Sequence, residues 1–401
     1  MSDLDATSRC VKCGLCLPHC PSFRLTGNEA DSPRGRITLM QAMQQDDRLC
    51  TPGLLSHLDR CLQCGACEAM CPSQVPFGAL MDATRDELER RRRRSPGQRL
   101  LRRLGLKLVT AGSAARRAAA DLLRLYRLAG LQRLARAVGL LRGPARRLDN
   151  MLVRAPRTFA RRNHFPAVGE QRGTVQLFTG CIASVMDADT LDATVRVLTR
   201  LGYRVEVPAQ QGCCGALHQH NGETGEALRL AQANACAFSG TTGVVIGTTS
   251  ACTAQLAGAD GLGGRIQDIH RFLCEEGRLQ QLPLDALPQT VAVHMPCTQR
   301  NLLRQTQAVR QVLEAIPGIR LAALNPDGGC CGAAGSYFIS QPEMSDRLRE
   351  DMLAGIGKAP PALLVTTNIG CALQLAAGAA ERGWPTEVLH PVTLLARQLR
   401  G

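Results

Sequence analysis

Residues 10–21 read CVKCGLCLPHCP, and residues 61–72 read CLQCGACEAMCP. Each run spaces its four cysteines three, three and four positions apart and ends in a proline. The chain has 401 residues and 19 cysteines, and its first residues, MSDLDATSRC, include no apolar signal segment. We therefore expect a cytoplasmic protein, in which clustered cysteines hold metal more often than they form disulfides.

The spacing of the two runs is the C-x2-C-x2-C-x3-C-P pattern of bacterial ferredoxins, which predicts two [4Fe–4S] clusters. Three thiolates on one tight loop can reach three corners of a cube, and Gly14 and Gly65 let the backbone approach it. The fourth cysteine of such a run ligates the other cluster. The sequence thus assigns Cys10, Cys13, Cys16 and Cys71 to cluster 1, and Cys61, Cys64, Cys67 and Cys20 to cluster 2. Two zinc knuckles are the alternative, although zinc sites usually join two C-x2-C halves by a longer loop.

The insert between the two runs contains SPRGRITLMQAM at Ser32–Met43, which predicts a turn followed by an amphipathic helix. Arg34 and Arg36 follow directly after the turn. Two interpretations stay open for each of them: a position near a cluster, where its charge raises the reduction potential, or a solvated turn.

The positive charge of the chain is concentrated in its middle. The segment from Ala83 to Phe165 holds 22 arginines and one lysine against five acidic residues, a net charge of +18 in a chain whose total is +14. Apolar residues recur there at three- and four-residue spacing, which predicts amphipathic helices. Such helices favour a membrane surface or an acidic partner, with a solvated linker as the alternative. Nucleic acid is disfavoured, because aromatic residues for base stacking are nearly absent.

The C-terminal half is a tandem repeat. VQLFTGC ends at Cys181 and VAVHMPC ends at Cys297, 116 residues later, while the two CCG triplets at Cys213 and Cys330 are 117 apart. VVIGTTSAC and LLVTTNIGC then end at Cys252 and Cys371, 119 apart. Each copy predicts strand, helix, strand, CCG turn, helix and strand, and therefore a parallel, Rossmann-like α/β sheet.

Four cysteines per copy fall just past the carboxyl ends of the predicted strands, where open α/β sheets hold ligands. They are Cys181, Cys213, Cys214 and Cys252 in the first copy, and Cys297, Cys330, Cys331 and Cys371 in the second. Four thiolates suit an iron–sulfur cluster or tetrahedral zinc in one or both copies. We expect Cys50, Cys236 and Cys274 to be packing residues. We expect His218, His220, His270, His294 and His390 to be structural.

These patterns predict a helical two-cluster ferredoxin-like domain followed by an α/β half made of two duplicated modules. We divide the chain into a ferredoxin part (1–82), a basic segment (83–165), a first module (173–285) and a second module (286–401). No G-x-G-x-x-G fingerprint, P-loop or Ser–His–acid pattern is present. We therefore expect the chain to carry electrons and not to oxidise an organic substrate alone, and we assign it no catalytic residue.

Taken together, the ferredoxin runs, the SPRGRI segment, the basic helices, the two CCG modules and the NIGC motif ending at Cys371 resemble glycolate oxidase iron–sulfur subunits. The individual motifs are also similar to those of heterodisulfide reductase subunits, the cluster subunit of anaerobic glycerol-3-phosphate dehydrogenase and lactate-utilisation proteins. In heterodisulfide reductases a fifth cysteine follows each module's last one by three positions. Here those positions hold Gln255 and Gln374, which puts disulfide reduction in doubt.

The resemblance implies an electron-transfer subunit of a flavin-dependent 2-hydroxy-acid dehydrogenase acting on glycolate or D-lactate. FAD would reside on a partner subunit, and electrons would pass through the clusters to a membrane quinone, with peripheral contact at the inner face of the cell membrane. A thiol–disulfide reductase, the glycerol-3-phosphate dehydrogenase subunit and a zinc-holding assembly scaffold are the alternatives.

Overall fold

The computed structural model describes residues 3–46, 49–92, 94–110, 112–159, 162–240, 243–258, 262–356 and 359–400. All strands of this described part lie after residue 163, so the ferredoxin part and most of the basic segment are helical. The helices of the ferredoxin part are α1 (Pro21–Thr26), α2 (Pro33–Gln45), α3 (Pro52–Asp59), α4 (Ala66–Ala69) and α5 (Phe77–Arg91). Those of the basic segment are α6 (Pro96–Thr110), α7 (Ser113–Leu128), α8 (Leu131–Ala137) and α9 (Gly143–Met151).

A small hydrophobic core holds the ferredoxin part together. Met40 of α2, Leu58 of α3 and Leu80 of α5 are buried in it, and Cys61 packs with them. Helix α2 begins directly at Pro33, where the hydroxyl of Ser32 accepts a hydrogen bond from the backbone of Gly35. A proline in the first turn and a serine cap are strong helix-start signals, so the helix begins earlier than the predicted turn.

The first module alternates helices and strands as the sequence predicts. Its elements are β2 (Gly173–Phe178), α10 (Ala183–Met186), α11 (Ala188–Arg200), β3 (Tyr203–Glu206), α12 (Ala216–Gln219), α13 (Thr224–Ala237), β4 (Val245–Gly247), α14 (Ser250–Ala257), β5 (Ile266–Asp268) and α15 (Ile269–Glu275). The end of the basic segment adds β1 (His164–Phe165), which pairs antiparallel with β3. This edge strand was not predicted, because two residues carry no period-2 pattern.

The second module repeats the arrangement. Its elements are β6 (Thr290–His294), a π-helical turn (Thr298–Leu302), α16 (Thr306–Glu314), β7 (Arg320–Ala323), α17 (Tyr337–Ser340), α18 (Pro342–Ala354), β8 (Leu363–Thr366), α19 (Ile369–Glu381), β9 (Glu387–Leu389) and α20 (Pro391–Arg397). Its sheet has the order β7-β6-β8-β9, and the first sheet has the order β1-β3-β2-β4-β5. Apart from β1, all pairs are parallel and the two orders are equivalent. The predicted α/β fold with two parallel sheets is confirmed.

The two modules share one hydrophobic core. Leu191 and Leu198 of α11 lie in the same buried cluster as Val312 of α16 and Leu394 of α20. Helix α20, the last of the chain, therefore packs against the first module. The boundaries given above remain a proposal; residue 82 lies inside α5, so this helix continues from the ferredoxin part into the basic segment.

Candidate iron–sulfur and metal centres

The two cysteine runs of the ferredoxin part have the same backbone conformation. Lys12 and Gln63, each between the first two cysteines of a run, have φ values of 55° and 49°. Gly14 and Gly65, two residues later, have φ values of 86° and 71°. Left-handed φ values are uncommon for residues other than glycine. Such turns aim backbone N–H groups inward, as in many iron–sulfur sites, and the N–H of Gln63 lies 3.4 Å from the thiol of Cys61.

The thiols of the two runs face one another. Burial raises the pKa of the Cys64 and Cys67 thiols, and both interact electrostatically with the thiols of Cys61 and Cys20. Cys20, at the start of α1, belongs to the other run and is buried. Cys20 therefore lies near thiols of both runs, and the exchange of the fourth ligands stays a prediction. Among the remaining predicted ligands, Cys13 is exposed, and Cys10 and Cys71 are half-buried beside the core of the ferredoxin part.

Cys16 lies near the thiols of Cys10 and Cys20. Burial raises its pKa, while a hydrogen bond from the backbone N–H of Arg34 acts in the opposite direction. The Arg34 side chain is partly exposed and pairs with Glu29 at 2.6 Å. Arg34 thus contacts the first run through its backbone and through its partly exposed guanidinium, which donates to the backbone oxygen of Lys12 at 3.0 Å.

Arg36, by contrast, is buried, with an exposed fraction of 1%. Its guanidinium donates to the Ser22 hydroxyl at 2.9 Å and lies 3.9 Å from the Cys20 sulfur. Asp31, with an exposed fraction of 0%, lies 3.8 Å from Arg36 and 3.1 Å from Arg60. The solvated interpretation is therefore wrong for Arg36, whose buried guanidinium lies beside the Cys20 sulfur.

In the first module the four predicted cysteines form a chain of sulfur contacts. The sulfur atoms of Cys181 and Cys213 lie 3.6 Å apart, and thiol hydrogen bonds join Cys213 to Cys214 and Cys214 to Cys252. Hydrogen bonds from Cys181 and Cys214 lower the pKa of Cys213, and the bonds to Cys213 and Cys252 raise the pKa of Cys214. A chain of four soft donors, three buried and one half-buried, fits a metal or an iron–sulfur cluster.

The second module has the same chain in the same order. Thiol hydrogen bonds join Cys297 to Cys330 and Cys330 to Cys331, and the sulfurs of Cys331 and Cys371 lie 2.7 Å apart. A ring nitrogen of His294 lies close to the last two of these thiols: the candidate ligand atoms of His294, Cys331 and Cys371 lie within 4.8 Å of one another. No other group of three such atoms is this compact in the described part of the chain.

The glycine of each CCG triplet sits where a side chain would collide. A Cβ on Gly215 would lie 2.9 Å from the backbone oxygen of Ala227, and one on Gly332 would lie 2.5 Å from that of Ser345. The two glycines have φ values of 91° and 80°, in the left-handed region. The triplet therefore needs glycine to bring its two cysteines against the following helix. Gln374, at the position of the absent fifth cysteine, is buried and donates to the Ser345 hydroxyl at 3.1 Å.

The predictions for the remaining cysteines and histidines are confirmed only in part. Cys274 packs beside the shared core and Cys50 beside the core of the ferredoxin part, as expected. The expectation for Cys236 is wrong, because it lies on the exposed face of α13. His270 and His390 are buried and hydrogen-bonded to Asp268 and to the backbone of Thr248. His294 is a candidate ligand that the sequence analysis did not identify. The sequence does distinguish it, because the second repeat has His294 where the first repeat has Phe178.

The ferredoxin part contacts the second module through its cysteines. The side chain of Asn301 donates to the backbone oxygen of Cys64 at 2.9 Å. The Cys64 thiol interacts electrostatically with Cys297 and Cys330, and all three pack in one hydrophobic cluster. Tyr337 lies in the same cluster and donates to the backbone oxygen of Arg60 at 3.1 Å. The predicted cluster 2 therefore adjoins the metal-ligand candidates of the second module.

The first module contacts the basic segment through a different surface. Arg85 donates to the backbone oxygen of His220 at 2.9 Å, and Arg102 donates to that of Asn221 at 2.6 Å. Arg102 also pairs with the carboxylate of Glu223. These contacts lie on the loop after α12, beyond the CCG triplet.

The basic segment exposes an apolar face. Of the twenty exposed large hydrophobic side chains in the described part of the chain, thirteen lie between positions 100 and 148. In α6 they are Leu100, Leu101, Leu104 and Leu108, which share one side of the helix. No helix of the described residues is both long and apolar enough to cross a membrane.

The fold and the cysteine sets define an iron–sulfur protein with a ferredoxin-type part and a duplicated cysteine-rich part. Residues 6–75 match the model of the 4Fe-4S dicluster domain, which implies two [4Fe–4S] clusters, and residues 175–257 and 291–376 match that of the cysteine-rich domain.

Comparison with known proteins identifies the family. The chain is 32% identical to the probable glycolate oxidase iron–sulfur subunit of Bacillus subtilis, over 96% of this chain and 92% of that protein. It is 30% identical to the glycolate oxidase iron–sulfur subunit of Escherichia coli, over 97% and 93%. Lactate utilization protein A of Geobacillus kaustophilus is 26% identical over 55% of this chain and 98% of its own length. The chain belongs to the family of glycolate oxidase iron–sulfur subunits.

Proposed function

We propose that the chain is the electron-transferring subunit of a flavin-dependent 2-hydroxy-acid dehydrogenase, with glycolate as the first candidate substrate and D-lactate as the second. FAD resides on a partner subunit, and a membrane quinone is the acceptor. The near-full-length likeness to glycolate oxidase iron–sulfur subunits supports glycolate, and the partial likeness to lactate utilization protein A supports D-lactate. When bound, [4Fe–4S] clusters accept and release single electrons.

The ligands are proposed as the sequence predicted them. Cys10, Cys13, Cys16 and Cys71 hold cluster 1, and Cys61, Cys64, Cys67 and Cys20 hold cluster 2. The cysteine chains that begin at Cys181 and Cys297 each hold a further centre, iron–sulfur or zinc. Buried, mutually hydrogen-bonded thiols support this proposal, because such donors need a bound cation to ionise together.

The contact between Cys64 and the second module is the observation that carries the electron-transfer proposal. It brings a predicted ligand of cluster 2 into one hydrophobic cluster with Cys297 and Cys330. Electrons that reach cluster 2 therefore have a direct route into the second module. A disulfide reductase is less well supported, because the position of the fifth cysteine holds Gln374, which donates a hydrogen bond to the Ser345 hydroxyl.

Reconstitution tests the subunit role. The purified chain alone should not reduce a dye acceptor with glycolate or D-lactate, and its visible iron–sulfur absorption should not bleach. Adding the flavoprotein subunit should start both reactions. Turnover by the flavin-free chain would refute the proposal. If, with the flavoprotein present, glycerol 3-phosphate bleaches the iron–sulfur absorption and glycolate and D-lactate do not, the alternative dehydrogenase is favoured.

We further propose that the basic segment attaches the chain to an anionic membrane surface. Helices that expose leucines along one side and carry many arginines lie at lipid headgroups. In the described part of the chain, Arg99, Arg103 and Arg124 are exposed and form no ion pair, so their charge is available to lipids. Arg90, Arg91 and Arg92 instead pair with acidic residues of the ferredoxin part and α5, while Arg93 lies outside the described residues.

Vesicle co-sedimentation measures how much the unpaired and the paired arginines each contribute to membrane binding. Changing Arg99, Arg103 and Arg124 to Gln should weaken binding to anionic vesicles by up to about 100-fold, since each contributes about 1 kcal/mol. The matched variant with Arg90, Arg91 and Arg92 changed to Gln should bind nearly as well as the unchanged chain. If the unchanged chain does not bind anionic vesicles at low salt, the membrane proposal fails and docking to an acidic partner replaces it.

A further inference from the structure

The two modules differ at one buried position beside their cysteines. Phe178 lies three residues before Cys181, and His294 lies three residues before Cys297, so the two occupy equivalent places at the ends of β2 and β6. Phe178 packs against Phe238, with ring centroids 6.2 Å apart, in the cluster that includes Cys214. The first module therefore closes this side of its site with an aromatic ring.

His294 presents a nitrogen to the site in the second module. Its exposed fraction is 1%, and Nδ1 lies 2.8 Å from the hydroxyl of Thr366. Nε2 is buried and has no hydrogen-bond partner among the described residues. A buried polar atom without a hydrogen-bond partner destabilises the folded state, and a metal on this nitrogen would remove that penalty. In histidines that bind metals, the ring nitrogen that does not bind the metal commonly forms a hydrogen bond. In His294 this nitrogen is Nδ1, and its partner is the hydroxyl of Thr366.

The position of the ring next to two thiols distinguishes His294 from the other histidines. Its ligand nitrogen lies within 4.8 Å of the sulfurs of Cys331 and Cys371, which are themselves 2.7 Å apart. His270 also leaves Nε2 buried and unpaired, but its ring stacks on His390 at 5.0 Å. A free imidazole nitrogen beside thiols is a metal-ligand arrangement, whereas stacked imidazoles are explained by packing.

We propose that His294 ligates the metal centre of the second module through Nε2, together with that module's cysteines. The second module then has a mixed thiolate and imidazole donor set, and the first has thiolates alone. The inference rests on the proposed metal occupancy of the second module and is independent of the substrate and of the route of electrons.

A neutral imidazole changes the properties of such a centre. Where imidazoles replace thiolates on a [2Fe–2S] centre, the reduction potential rises, because the ligands bring less negative charge. If the second module holds iron, its centre should therefore be reduced more easily than an all-cysteine centre in the first. If it holds zinc, the mixed set is the common Cys/His type of structural zinc site.

Metal content of the full-length, anaerobically purified chain is the first test. His294→Phe installs the residue of the first module and should lower the iron or zinc content by as much as Cys371→Ser does. Phe178→Leu, a change at the equivalent position of the first module, should leave the content unchanged. If Cys371→Ser lowers the metal content and His294→Phe does not, the inference is overturned while the proposed metal site stands. If neither variant lowers it, the metal site is wrong as well.

A spectroscopic test has its deciding measurement on the unchanged chain, which does not depend on the folding of any variant. Chain labelled with 15N-histidine should show a directly bound nitrogen in the pulsed EPR spectrum of the second-module centre, after replacement by Co²⁺ if the centre holds zinc. The nitrogen coupling should disappear in His294→Phe protein refilled with Co²⁺ or iron. A spectrum without any histidine coupling in the unchanged chain would overturn the inference.

Discussion

The first and second modules have equivalent sheets and the same chain of sulfur contacts, but their surroundings differ. The second module places Cys297 beside Cys64 of the ferredoxin part, and the half-buried Arg300 interacts with the Cys297 thiol. The equivalent position in the first module is Ser184, whose hydroxyl donates to the backbone of Cys181. Duplication therefore produced two thiol sites, and the residues around each site decide its charge and its neighbours.

The comparison predicts that the second module matters more for electron flow. In the complex with the flavoprotein, Cys331→Ser should reduce the rate of quinone-analogue reduction by more than about 100-fold, because losing even an outer-shell partner of a metal can cost about 10- to 100-fold. Cys214→Ser, the equivalent change in the first module, should cost less.

The measurement is steady-state quinone reduction with glycolate as the donor, at equal flavoprotein loading for each variant. Circular dichroism of both variants controls for misfolding of the shared core. Equal losses, or a larger loss for Cys214→Ser, would contradict the assigned difference between the modules.

A second prediction concerns the cluster that adjoins the second module. Cys20 lies near the thiols of the second cysteine run, so Cys20→Ser should damage cluster 2, although Cys20 belongs to the first run. EPR of the reduced protein should lose the same signal in Cys20→Ser and Cys64→Ser. Cys13→Ser should lose the other signal. A Cys20→Ser spectrum that matches Cys13→Ser would show that each run keeps its own fourth ligand.

A smaller effect is expected at the contact between the parts. Asn301→Ala removes the hydrogen bond to the backbone of Cys64, worth about 1 kcal/mol. A loss of this size corresponds to about a 5-fold change in the population of the docked arrangement. Stopped-flow reduction of the second-module centre, if it holds iron, should slow by about that factor.

Glu223→Gln is the matched control, since it weakens the ion pair with Arg102 at the contact made by the first module. It should leave the rate of electron transfer unchanged. A slower rate in Glu223→Gln with a normal rate in Asn301→Ala would assign the electron route to the first module.

The smallest effect concerns stability. Tyr337→Phe keeps the buried ring and removes its hydrogen bond to Arg60, so the free energy of unfolding should fall by about 1 kcal/mol. His220 occupies the equivalent position of the first module and contacts Arg85 through its backbone oxygen. His220→Ala should therefore change stability by no more than about 0.5 kcal/mol. Urea unfolding measures the free energy of unfolding of both variants. A larger loss in His220→Ala than in Tyr337→Phe would contradict the expected difference between the modules.

Much of the fold and of the candidate ligand sets could be predicted because their signals are local or repeated. The spacing of Cys10, Cys13 and Cys16 constrains a single short loop. The repeat predicted two sheets of one topology, since equivalent apolar runs form equivalent strands. The strands and helices of the first module lie close to their predicted positions; for example, the apolar spacing predicts a helix over 188–201, and α11 covers Ala188–Arg200.

The exposure of Cys236 was mispredicted for a reason that is equally physical. Its neighbours in AQANACAF are small and apolar, so the sequence contains little to tell the buried side of α13 from the exposed side. The structure buries Leu230 and Asn234 on one face, and Cys236 falls on the other.

By itself, the sequence determined the cysteine loops, the duplicated modules and the family, because these depend on residue types at short or regular spacing. Only the tertiary structure decided that Arg36 is buried beside Cys20, that Cys64 adjoins the second module and that His294, which has an unpaired ring nitrogen, lies beside two thiols. Asn301 and Cys64 are 237 residues apart in the chain, and His294 and Thr366 are 72 apart. Contacts over such separations depend on how whole helices and sheets pack, which no local spacing specifies.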